Sequence, residues 1–63
     1  MEKILLKERG IGKHLAVRCE LKGDEIRFYI NSLAISASCA FEVKEWDQFV
    51  EAINTANANF ELV

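Results

Sequence analysis

Val17 to Ile30 reads VRCELKGDEIRFYI, two runs in which apolar and polar residues alternate on either side of Gly23-Asp24. A two-residue hairpin connection with glycine first suits a type II′ turn, whose first central residue needs a positive φ. Such a turn opposes Lys22 to Glu25, Leu21 to Ile26, Glu20 to Arg27, Cys19 to Phe28, Arg18 to Tyr29 and Val17 to Ile30. Apolar residues meet apolar ones, and polar meet polar, at every rung. A slip of one residue would turn the whole apolar set toward water, so register and buried face are specified together.

Upstream, Lys3 to Arg9 (KILLKER) reads as another strand, with Ile4 and Leu6 on the buried face and Lys7 and Arg9 on the other. A loop centred on Gly10-Ile11 opposes Leu6 to Leu15, Ile4 to Val17 and Lys7 to His14, in phase with the hairpin. Downstream, Asn31-Ser32 as a second tight turn opposes Ile30 to Leu33, Phe28 to Ile35 and Ile26 to Ala37. A fourth strand, Leu33 to Val43, then carries Leu33, Ile35, Ala37, Cys39, Phe41 and Val43 inward.

At Lys44 the period changes. Trp46, Phe49, Val50 and Ile53 fall at i, i+3, i+4 and i+7, one stripe of a helix. Asn54, Thr55, Asn57 and Asn59 lower helix propensity, so the helix is expected to run from about Lys44 and to fray after Ala56. The sequence therefore predicts a single α+β domain over residues 1–63, a four-stranded antiparallel meander followed by one C-terminal helix (ββββα). The helix covers the apolar side, with Trp46 against Val17, Phe28 and Ile35.

The bulk properties limit what such a domain can be. A chain of 63 residues buries only roughly 60% of the surface exposed on unfolding, and dimerisation is a common remedy. The apolar Phe60, Leu62 and Val63 at the end of the chain point the same way. Cys19 and Cys39 both fall on the apolar side and are expected there as buried, free thiols. Neither a secretory leader nor an apolar run of membrane-spanning length is present, which points to a cytoplasmic chain with no membrane partner. Residues 1–31 carry seven basic and five acidic side chains, +2, whereas residues 32–63 carry one basic and five acidic, −4.

Chemistry-bearing patterns are scarce, and no enzyme is expected. His14 has no Ser or Cys at a nucleophile-base spacing, and with Cys19 and Cys39 it makes no zinc pattern. Gly10, Gly12 and Lys13 lack the spacing and the Ser or Thr of a phosphate loop. No catalytic residue, metal or cofactor is indicated. The open face of the sheet is richer, gathering Lys7, Arg9, His14, Arg18, Lys22, Arg27, Tyr29, Ser36 and Ser38, interrupted by Glu20 and Glu25. Cations around an aromatic ring suit a single nucleic-acid strand, with phosphates on Lys and Arg and a base stacked on Tyr.

Val17-Arg18, Lys22-Gly23 at the turn, Ile26 to Ile30 returning, and a strand leading into Glu45-Trp46 and an amphipathic helix together resemble the positive-cofactor-four family of transcriptional coactivators and its bacterial and phage relatives. The resemblance spans residues 13–57. It implies a curved four-stranded sheet with one helix, assembled as a homodimer on single-stranded DNA and, for this chain, a phage or prophage origin. Arg18, Lys22, Arg27 and Tyr29 are then strand-contacting residues and Trp46 the anchor of the helix. The chain departs from the family in its shorter connection before strand four and in its net acidity. Together the readings point to a homodimer binding single-stranded DNA or RNA through Lys7, Arg9, Arg18, Lys22, Arg27 and Tyr29. The rival is a protein-interaction module, a small inhibitor or accessory subunit that docks its sheet edge, acidic helix or apolar tail on a protein partner.

Overall fold

The computed structural model describes residues 2–62, so the apolar Val63 lies outside the described residues. Four strands form one antiparallel sheet in sequence order, β1 (Glu2–Ile11), β2 (Leu15–Lys22), β3 (Glu25–Asn31) and β4 (Ser36–Glu42). A single helix, α1 (Val43–Glu61), follows without a linker, giving the ββββα arrangement.

The β2–β3 hairpin has the register expected of it, from Val17 opposite Ile30 to Lys22 opposite Glu25. Gly23 takes φ 69°, while among the described residues none other than glycine has a positive φ, which is the pattern a type II′ turn requires. On the helix side of the hairpin, Cys19 and Ile26 are the two buried apolar residues among those described.

The flanking strands depart from expectation. The β1–β2 turn is Gly12-Lys13-His14 rather than Gly10-Ile11, with Gly12 at φ 65°, so Ile11 opposes Leu15 and Leu6 opposes Cys19. Register shifts between Ile4 and Leu6 and between Leu6 and Arg9 then reverse the facing of parts of β1. Ile4 lies opposite Glu20, toward the open face, and Arg9 opposite Val17, toward the helix side. The expected facing held for Leu6 and Lys7 but not for Ile4 or Arg9, because an edge strand with one free side absorbs bulges more readily than a central one. His14 sits in the turn and not on the face of a strand.

The β3–β4 connection is the four residues between Asn31 and Ser36, two longer than a tight turn, so Ile30 meets Ala37, Phe28 meets Cys39 and Ile26 meets Phe41. Asn31-Ser32 contains no glycine, and the favoured two-residue turns require positive φ. Ser32 organises the longer loop instead. Its Oγ accepts from the N–H groups of Ala34 (3.3 Å) and Ile35 (3.0 Å), and its own N–H donates to the Ile35 carbonyl at 2.7 Å. The displacement is even-numbered, so Ala37, Cys39 and Phe41 keep their inward facing. Leu33 and Ile35 instead project from the loop, 81% and 63% exposed. Val43 opens the helix and does not end the strand.

Glu45 closes the start of α1 by accepting the Glu42 N–H at 2.9 Å. The helix continues past Ala56 to Glu61. Alanines at 52, 56 and 58 interleave with the asparagines, and helix propensity is a weak preference easily overridden. Trp46 and Phe49 pack on β3 and β4 in a four-ring cluster with Phe28 and Phe41, centroids 5.0 to 6.2 Å apart. Phe41 thus takes the place foreseen for Val17 and Ile35 beside Trp46, and the tryptophan is half-buried. The helix lies on β3 and β4 without reaching β1 or β2. Cys39, on the edge strand β4, is exposed rather than buried, although both cysteines are free.

Candidate nucleic-acid interface on the open sheet face

Because side chains alternate along a strand, the face away from α1 can be assembled rung by rung from the registers. One rung sets Glu2 of β1 beside Lys22, Glu25 and Glu42. The next sets Ile4 beside Glu20, Arg27 and Ala40, and a third joins Arg18, Tyr29 and Ser38. The last carries Gly10, Ala16, Asn31 and Ser36. Lys7 and Glu8 together occupy the stretch of β1 opposite Arg18, between the rungs of Leu6 and Arg9.

Five of the six expected contact residues thus lie on or border this surface: Arg18, Lys22, Arg27 and Tyr29 on the central strands, and Lys7 at the bulged edge, where it shares a recess with Arg18 and Glu20. Arg9 is the exception, placed by the register on the helix side.

The centre of the face is a stack. The Arg18 guanidinium carbon sits 3.7 Å from the centroid of the Tyr29 ring, a cation–π contact. Tyr29 Oη donates to Glu20 Oε1 at 3.1 Å, and Glu20 Oε2 lies 3.9 Å from Arg18 Nη1, so one carboxylate braces both members. Shallow recesses flank the tyrosine, one lined by Arg27, Ser38 and Ala40, the other by Arg18, Asn31, Ser36 and Ser38.

Each remaining cation on the central strands also has an acidic neighbour. Arg27 Nε donates to Glu25 Oε1 at 2.9 Å, and Lys22 Nζ lies 4.0 Å from Glu2 Oε1. The hydrogen bond that Arg27 donates to Glu25, and after it the one with Tyr29, push the guanidinium pKa still higher, so it stays charged. These pairs are exposed, and solvent screening leaves exposed ion pairs contributing little. A phosphate oxygen can therefore replace a carboxylate oxygen at little cost, although the face as a whole is close to neutral. Sequence reasoning saw Glu20 and Glu25 as interruptions but missed their bracing role and that of Glu2. The hairpin register already signalled the first two, whereas Glu2 depended on the unforeseen β1 register.

Among the described residues no group of three or more His, Cys, Asp or Glu side chains gathers as a metal site. No helix of the described residues is long and apolar enough to cross a membrane. Comparison with protein-family models, with characterised proteins and with solved structures finds no match for this chain. The class to which fold and face belong is thus defined by physics alone, a small ββββα domain with a polar, cation-bearing open sheet face and a partly covered apolar one.

Proposed function

We propose that the chain binds single-stranded nucleic acid on the open face of its sheet and does so as a homodimer. The observation that carries this reading is the Arg18–Tyr29 stack, bordered by Lys22, Arg27 and the hydroxyls of Ser36 and Ser38. A base can add to the exposed side of the guanidinium plane, or take the tyrosine ring as Arg18 swings to a phosphate; both are recurrent ways of holding an unpaired base. Duplex is a poorer fit, since among the described residues no element offers a helix or ribbon of cations to a groove. The apolar helix side then serves assembly, which leaves the open face free for the strand.

A second reading rests on a separate observation. The cations of the open face are paired with carboxylates, while Leu33, Ile35, Phe60 and Leu62 are each more than 60% exposed. That distribution favours a module whose partner is another protein.

Anisotropy titration of a labelled single-stranded oligonucleotide with Arg18→Ala and Tyr29→Ala separates the two. Under the nucleic-acid reading, Tyr29→Ala costs about 1 to 3 kcal/mol with little change in salt dependence, and Arg18→Ala also reduces the salt slope. Equal binding by wild type and both variants would assign the strand to another surface.

A further inference from the structure

We propose that Glu20 is an internal competitor for phosphate at the Arg18–Tyr29 stack, holding in the free chain the contacts that a strand's own phosphate makes in the complex and so setting the affinity of the face. Glu20 then regulates the site named above, and the inference rests on that reading.

The register alone would give Glu20 another partner. Arg27 lies directly opposite it on β3, where a cross-strand ion pair is the ordinary outcome. Arg27 instead donates to Glu25 at 2.9 Å, two residues away on its own strand. Glu20 turns along β2 to Arg18 and diagonally across to Tyr29. Its Oε1 accepts from Tyr29 Oη at 3.1 Å, and its Oε2 lies 3.9 Å from Arg18 Nη1. One carboxylate thus faces a guanidinium and a phenol hydroxyl at once.

A phosphate beside a base stacked at Tyr29 needs the same two donors, since a guanidinium recognises carboxylate and phosphate oxygens alike. Two anions in one seat repel each other, so the carboxylate leaves as the phosphate arrives. The hold it gives up is reversible. The Arg18 and Glu20 side chains are 44% and 32% exposed, and at 3.9 Å their charged groups are beyond hydrogen-bond distance. Tethering nevertheless keeps Glu20 at a high effective concentration beside Arg18, which an isolated phosphate cannot match. A strand that also engages Lys22 and Arg27 can. When Arg18 passes to the phosphate, the freed carboxylate takes up a cation of its own, which offsets part of the counterion release.

The test is anisotropy titration of a labelled oligothymidylate at several low salt concentrations with the full chain, Glu20→Gln, Arg18→Ala and the double variant, far-UV circular dichroism verifying the fold. Glutamine keeps an oxygen for the Tyr29 hydroxyl and removes the charge that holds Arg18. Glu20→Gln is expected to bind about three- to tenfold more tightly than wild type, with a steeper loss of affinity as salt rises. In the Arg18→Ala background the same change gains less than about twofold, because the competition acts through Arg18. Wild type that binds as tightly as Glu20→Gln, or more tightly, overturns the competitor and leaves the nucleic-acid reading standing. An equal gain with and without Arg18 reduces Glu20 to general charge repulsion and also overturns it. Absence of binding by both wild type and Glu20→Gln overturns the competitor and the nucleic-acid reading together.

Discussion

Replacing Trp46 by alanine removes one of the two helix rings, the other being Phe49, that join helix to sheet. The Trp46 ring lies 5.6 Å from Phe41, 5.7 Å from Phe49 and 6.2 Å from Phe28, so three aromatic contacts vanish at once. Large aromatic-to-alanine changes in cores cost about 3 to 5 kcal/mol. Trp46 is only half-buried, which places the expected loss near the lower end, about 3 kcal/mol. A 63-residue domain has roughly 3 to 9 kcal/mol in all, so the variant forfeits between a third and the whole of its stability. Urea denaturation followed by far-UV circular dichroism measures this without depending on the missing fluorophore. Trp46→Phe keeps a ring in the cluster and is expected to lose about 1 kcal/mol. An unchanged midpoint for Trp46→Ala would refute the four-ring cluster as the attachment of the helix.

Three smaller perturbations follow from the same structure. Gly23→Ala forces a side chain into φ 69° and is expected to cost about 1 kcal/mol or more by the same denaturation assay, with Gly10→Ala, which has no positive φ, costing less. Ser32→Ala removes the acceptor of the Ala34 and Ile35 N–H groups and should cost about 0.5 to 1.5 kcal/mol while raising amide exchange in that loop. Burial first, and the charge of Glu20 second, push the Cys19 thiol above its ordinary value of 9.0. Above that pH the unfolded chain gives up a proton that the folded one keeps, so stability falls as pH rises. Cys19→Ala should flatten this alkaline decline, and an identical slope in the variant would assign it to other groups.

What the sequence made legible tracks how tightly each element is constrained from both sides. The β2–β3 register followed from Gly23-Asp24 and six alternating pairs, every one of which would be inverted by a slip. The helix stripe was equally plain, because Trp46, Phe49, Val50 and Ile53 repeat at helical spacing. The failures lie at the periphery. Gly10 and Gly12 are both turn residues on paper, and only the positive φ of Gly12 shows which one makes the turn. The β1 bulges leave no sequence mark, since Ile4, Leu5 and Leu6 can each be the apolar residue that faces inward. At the other edge, the absence of glycine from Asn31-Ser32 could have argued against a tight turn. The face of Arg9 depended on the bulges, whereas Arg18, Arg27 and Tyr29 were placed by the hairpin, which is why the centre of the candidate site was readable and its edge was not.

The central proposal is that a single strand lies on the Arg18–Tyr29 face, and its most direct test is the salt dependence of oligonucleotide binding by the wild-type chain. Phosphates held by Lys7, Arg18, Lys22 and Arg27 release counterions, so a plot of log affinity against log salt should fall with a slope of roughly −0.7 per phosphate engaged. Measured by anisotropy on a labelled single strand, binding is predicted to be tight at low salt, steeply weakened as salt is raised, and tolerant of base sequence. Failure to bind single-stranded DNA or RNA below about 100 µM at low salt, where screening is weakest, would contradict it.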